Sequence, residues 1–287
     1  MLEDERPSQT ALTAAAARAA HLIVDNAPTI FADPLAATLL GEQADVLIGY
    51  HRAHGTHLVL VGARAQATCR SRFTEDALAA SLARGITQYV ILGAGLDSFA
   101  YRSAAPAGQI RVFEVDHPAT QEWKRARLSA AGIPVPDSVR FVPLDFESGS
   151  LAQSLGDGGF EPSRPALISW LGVTMYLTEG AIGQTLAEIS RFAAGTELIT
   201  DYLLPPGLRD ETGRAYAELV MPVTAERGEP WRSSFAPGDM STLLDRHGFG
   251  GVRHIRQRDT VDPACWDRSD SLRPADLSVL AHATVQP

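Results

Sequence analysis

Three short stretches of the 287-residue chain carry residue types and spacing suited to chemistry. Gly93-Ala94-Gly95-Leu96-Asp97 directly follows an apolar run. A strand that runs into a glycine-rich turn lets backbone approach a ligand where a Cβ would collide. Asp116 stands 23 residues after Gly93, in Phe113-Glu114-Val115-Asp116-His117. An acid at the end of a second strand is placed to accept hydrogen bonds from both hydroxyls of a ribose. Glu114 shares its face under the period-two alternation of a strand and is the alternative ribose acid. Pairing of either acid with Lys124 or Arg125 is the competing, purely structural role. Asp145-Phe146 follows after another 29 residues. There a carboxylate can accept from the exocyclic amine of adenine while the ring packs on the base. An Asp at that point also suits an ordinary turn or helix cap.

A glycine turn, a ribose acid and an adenine acid at successive strand ends describe an adenosine-containing ligand held without a phosphate cradle. No GxxxxGK[ST] motif is present, and the third glycine of a dinucleotide fingerprint would fall at Ser98. That counts against NAD and FAD. S-adenosylmethionine fits, being an adenosine with a zwitterionic amino-acid tail. The tail's carboxylate calls for a cation, and Arg70 and Arg72 lie just before the helix leading into the first strand. A solvated helix face is their alternative role.

Other candidates carry less. His51, His54 and His57 form H-x-x-H-x-x-H, but on a helix the third lies about 240° from the first, and Gly55 interrupts the pattern. A zinc site would also need a fourth ligand, so structural or surface roles are favoured. Ser98 and Ser169 lack a nucleophile-elbow pattern, which disfavours hydrolysis. His117 and Tyr176 are pocket candidates only, and no residue identifies itself as a general base. The catalytic residues are therefore left unassigned, and no metal is expected.

Elements that could position these groups follow from periodicity. Helical patterns fill the first third: 11–20, 34–39, 46–60 with Gly49 and Gly55 inside it, and 74–84 ending at Gly85. From residue 86 short apolar runs alternate with helical patterns. Strands are expected at 86–92, 110–115, 139–142, 166–170, 196–204, 252–255 and 277–284, with helices at 118–131, 179–194 and 237–247. Alternation of this kind implies a doubly wound α/β fold, a Rossmann-like parallel sheet covered on both faces. Residues 1–85 then form an N-terminal helical cover and 86–287 the core. Residues 206–236 are polar and partly helical (210–220). They suit a substrate-covering insertion or a plain long connection.

Composition narrows the classes. Hydrophobic residues are 45% and charged residues 21%, ordinary for a soluble globular protein. Twenty-five basic against 34 acidic residues give a net charge of −9. This disfavours nucleic acid, whose backbone is tracked by Lys and Arg. Cys69 and Cys265 have no CxxC partner and read as two thiols rather than a disulfide framework. The polar start MLEDERPSQT is unlike a signal peptide, and no apolar run reaches 18 residues, so a cytoplasmic location without membrane contact is expected.

The segments Arg70-Ser71-Arg72-Phe73, Val90-Ile91-Leu92-Gly93-Ala94-Gly95-Leu96-Asp97, Phe113-Glu114-Val115-Asp116-His117-Pro118 and Lys124, with Thr29-Ile30-Phe31-Ala32-Asp33-Pro34 upstream, resemble the leucine carboxyl methyltransferase-like family, which includes bacterial polyketide O-methyltransferases. The resemblance spans most of the chain. It implies a class I S-adenosylmethionine-dependent methyltransferase with a seven-stranded sheet, last strand antiparallel, and N-terminal helices over the cofactor. By similarity Arg72 would hold the methionine carboxylate, and Gly93 and Gly95 would border the methionine moiety. Asp116 would bind ribose, Asp145 and Phe146 would face adenine, and Arg18 would be a basic N-terminal residue near the cofactor. Many relatives carry Glu-Gly after the fourth strand, where this chain has Leu171-Gly172. The carboxylate that would meet the cofactor's amino group is thus absent. The resulting expectation is an O-methyltransferase acting on a small-molecule carboxylate or hydroxyl, in secondary metabolism. The alternatives are an NAD(P)-dependent oxidoreductase or a catalytically silent S-adenosylmethionine-binding protein.

Overall fold

The computed structural model describes residues 8–102 and 110–287. Met1–Pro7, most of the polar start noted above, lies outside them. Seven strands, β1 (Gln88–Leu92), β2 (Arg111–Asp116), β3 (Val139–Pro143), β4 (Leu167–Trp170), β5 (Glu197–Leu203), β6 (Phe249–Arg256) and β7 (Ser278–Val285), form one sheet. Their order is β3-β2-β1-β4-β5-β7-β6, with β7 antiparallel to both its neighbours. The strands β1, β4 and β5 are buried along their whole length, as continuous apolar runs covered on both faces should be. The strand order reverses between β1 and β4, and in such sheets the crevice beyond the carboxyl ends at that point receives the ligand.

Alternate residues of the strands feed two cores. Val90, Leu92, Phe113 and Val115 face one side with α6 (Leu151–Asp157), α7 (Glu179–Ile189) and α9 (Pro237–Arg246). Tyr89, Ile91 and Val112 face the other, under α1 (Gln9–Val24), α2 (Ala36–Leu40) and α4 (Leu58–Ala83). The alanines 15, 16, 19 and 20 of α1 are essentially inaccessible. Side chains this small let the helix lie flush against its neighbours.

Several elements differ from the sequence expectation. The helix expected at 74–84 is the last part of the 26-residue α4. Nothing between Leu58 and Ala83 breaks it, and Gly62 is tolerated because Tyr216 packs where its Cβ would be. The pattern at 46–60 is split into α3 (Ala44–His54) and the start of α4, with His57 capping α4 by accepting from Val59 N–H. The seven-residue α6 is too short to show a period. Within 206–236, α8 (Glu211–Glu226) runs on past Val220 and through Pro222. No helix among the described residues is long and apolar enough to cross a membrane.

The end of β2 is fixed from beneath by a buried ion pair. Lys124 Nζ of α5 (Pro118–Ala130) lies 2.7 Å from Glu114 Oε2, with both side chains 1% exposed. Removing one partner of such a pair strands a buried charge, which costs about 3–5 kcal/mol. Lys124→Met should therefore lower stability in urea by that order. The double variant Glu114→Leu/Lys124→Met should recover most of the loss; failure to recover would show that packing, not charge, dominates there.

Candidate active site

After Leu92 the chain must leave the sheet without blocking the crevice. Gly93 N–H and Ala94 N–H both donate to Val115 O, at 2.8 and 3.1 Å. Gly93 has φ +68°, and a Cβ there would lie 2.2 Å from Val173 Cγ2. Gly95, at φ +46°, brings its N–H to Asp116 Oδ2 and its Cα beneath Ala11 of α1. Both positions need glycine, through left-handed backbone and close approach together.

A cavity of about 380 Å³ opens beside this turn, within the range of small-molecule sites. Gly93, Gly95, Asp97, Asp116, Asp145 and Phe146 all line it, so the motifs read from three separate strands converge. Asp116 Oδ1 accepts from His117 N–H at 2.7 Å and Oδ2 from Gly95 N–H. Each oxygen thus keeps a further lone pair for a ligand. Burial raises the Asp116 pKa, and the two amide bonds oppose that rise. Glu114 is fully buried against Lys124 and does not reach the cavity. Asp145 accepts from Glu147 N–H at 2.9 Å and Ser148 Oγ at 2.8 Å. The Glu147 amide is the main influence lowering its pKa. Phe146 stacks on Trp170 at 6.1 Å.

Arg72 does not line the cavity, whereas Arg70 does. Residues two apart on a helix point about 200° from one another, so only one of the pair can face inward. Arg72 is half exposed and pairs with Asp76 at 2.7 Å. Arg70 lies over Gly172, where a Cβ would sit 2.6 Å from its Nη1, and pairs with Asp201 at 3.2 Å. Arg18 lines the cavity too, but donates to Asp33 Oδ2 and Leu96 O and so bolts α1 to the glycine turn. Ser98, standing where a third glycine would be, donates to Asp33 Oδ1 at 2.6 Å.

The histidine series forms no metal site. His51 Nδ1 meets Arg64 Nη1 at 3.2 Å, and burial beside that guanidinium lowers its pKa to about 4. No metal-binding cluster occurs among the described residues, and both cysteines are free thiols.

The leucine carboxyl methyltransferase family model matches residues 11–190, well over half the chain. The chain belongs to the leucine carboxyl methyltransferase family. Among its relatives, a Bacillus subtilis protein named "Putative S-adenosyl-L-methionine-dependent methyltransferase YktD" is 32% identical over 75% of this chain and 70% of its own length. A Mycolicibacterium vanbaalenii protein of the same general name is 39% identical over 49% of this chain, but that match spans only 45% of the relative. In fold, the chain is similar to a DUF574 family protein from Streptomyces avermitilis (TM-score 0.59, 16% identity, 94% of this chain and 97% of that one). It is also similar to human N-acetylserotonin methyltransferase in complex with SAM (TM-score 0.50, 13% identity, 85% and 60%).

In this family member the far wall of the cavity was not legible residue by residue. Val220 and Thr224 of α8 and Glu229 after it line the cavity, and Tyr216 and Trp231 line it packed together with Tyr176 and Met175. Glu229 accepts from Ser8 Oγ at 2.7 Å and Thr10 N–H at 3.2 Å, tying this wall to the start of α1. The segment 206–236 stood out by composition, but nothing in its spacing marked which side chains turn inward. Burial raises the pKa of both Tyr176 and Tyr216.

The turn yields a direct test. Gly85 also has positive φ but open space around it. Gly85→Ala should lose about 1–2 kcal/mol for the left-handed backbone. Gly93→Ala should lose that plus about 1–3 kcal/mol for overpacking against Val173. Equal losses in chemical denaturation would show that the Gly93–Val173 contact is not tight.

Proposed function

We propose that the chain transfers a methyl group to an oxygen of a small molecule, a carboxylate or a hydroxyl, in secondary metabolism. It is a methyltransferase dependent on S-adenosyl-L-methionine. The observation that carries the site reading is the partly buried Asp116 carboxylate at the switch point, held by two backbone amides with lone pairs to spare. That arrangement suits a ribose diol. In this reading Asp116 holds the ribose, Asp145 and Phe146 flank the adenine, and Gly93 and Gly95 border the amino-acid tail. Arg70, rather than Arg72, faces the tail's carboxylate.

When bound, the cofactor supplies an electrophilic methyl group on a sulfonium. The chain's own contribution is alignment and the exclusion of water. Tyr176, Trp231, Met175 and Leu203 give the acceptor end apolar and aromatic walls. Tyr176, with its pKa raised by burial, stays protonated at neutral pH and does not serve as a base. Trp231 Nε1 is a buried donor beside the Tyr176 hydroxyl. His117 is at the adenine side, where it caps α5 by accepting from Ala119 N–H. With no placed base, an acceptor that arrives already ionised is favoured, and a carboxylate does so at neutral pH. Ser98, committed to Asp33 and Arg102, weighs against a dinucleotide.

Isothermal calorimetry should show S-adenosylmethionine binding and no NADH binding; NADH binding alone would overturn the reading. Asp116→Ala should weaken S-adenosylmethionine by tenfold or more, the value of one or two hydrogen bonds to a charged group. Arg72→Ala should leave it within twofold. Transfer of labelled methyl to carboxylic rather than phenolic acceptors then tests the acceptor class, and no transfer to any would favour a silent binding protein.

A further inference from the structure

Asp201 lies near the carboxyl end of β5, 3% exposed, and does not itself line the cavity. Its two oxygens reach two elements that do. Oδ1 accepts from Gly172 N–H at 2.6 Å, in the loop that follows β4. Oδ2 accepts from Arg70 Nη1 of α4 at 3.2 Å. Gly172, at φ +72°, has no Cβ, and the Arg70 guanidinium packs in the space a Cβ would take. One buried carboxylate thus joins a helix of the cover to a loop of the core at the cavity wall. Among the described residues the only other cavity-lining arginine, Arg18, is held by Asp33 and Leu96 O.

We propose that Asp201 is a positioning residue that aims Arg70 at the amino-acid tail of the cofactor. The proposal rests on the cofactor reading above and goes beyond it in assigning a role to a residue that touches no ligand. An arginine side chain has several rotatable bonds, and a buried carboxylate at a fixed strand position removes that freedom before the ligand arrives. The guanidinium has five donors, so the one given to Asp201 leaves others for a ligand carboxylate. The bond from Gly172 N–H fixes the loop against which the guanidinium lies. Its single charge also offsets that of Arg70, so the wall is close to neutral until a ligand carboxylate enters.

The test uses two ligands that share a nucleoside and differ in the tail. S-adenosylhomocysteine carries the amino-acid group; 5′-methylthioadenosine lacks it. Asp201→Asn keeps an acceptor for Gly172 N–H but places an uncharged amide before Arg70. By calorimetry this variant should bind S-adenosylhomocysteine tenfold or more weakly, the worth of a charge-assisted hydrogen bond. It should bind 5′-methylthioadenosine within twofold of the unaltered protein. In an Arg70→Ala background, Asp201→Asn should have no further effect on S-adenosylhomocysteine, because the two act as one unit. That double variant also removes both charges of the pair and so guards against loss of folding in the single one. Equal weakening of both ligands would make Asp201 a general structural residue and overturn the proposal, as would additive effects in the double variant. Failure of the unaltered protein to bind either ligand would instead overturn the cofactor reading itself.

Discussion

The site depends on one turn. Where β1 ends, the chain must bend away from the sheet while leaving room directly above it, and only a left-handed backbone without side chains does both. Val115 O takes two amides of that turn, and the Asp116 carboxylate takes a third. The same acid that faces the cavity therefore also holds the cavity open. Because β2 supplies both acceptors, the Glu114–Lys124 pair beneath it belongs to the site's foundation, although neither side chain reaches the ligand space.

The cover is built onto that turn. Arg18 crosses from α1 to Leu96 O and Asp33, and Asp33 in turn holds Ser98. Ala11 lies over Gly95, so a larger residue at either point would lift the helix. At its other end α1 is tied through Ser8 and Thr10 to Glu229. The N-terminal helices and the segment before α9 thus close on each other across the crevice. A ligand held there is gripped by parts of the chain more than 200 residues apart in sequence.

Much of this was legible beforehand, and the reasons are local. The strand-then-glycine pattern at 86–95 and the acids ending the next two strands are set by short-range rules of alternation and turn chemistry. Asp116, Asp145 and Phe146 converge because parallel strands bring their carboxyl ends to one edge. What was not legible depends on angle and distance. Arg70 and Arg72 look equivalent in sequence, and only the phase of the long helix α4 decides which turns inward. Glu114 and Asp116 share a strand face, yet Lys124 claims the first. Asp201, Glu229 and Trp231 carry no motif at all; they matter because the tertiary fold sets them against Arg70, α1 and Tyr176.

In the proposed reading this cavity seats S-adenosylmethionine with its ribose on Asp116 and its reactive end toward Tyr176 and Trp231. The crystal structure of the protein with S-adenosylhomocysteine measures this most directly. The ribose hydroxyls should lie within hydrogen-bond distance of the Asp116 carboxylate, with the base beside Phe146 and the tail's carboxylate at Arg70. A ligand with its ribose away from Asp116, or with its tail directed to Arg72, would contradict it.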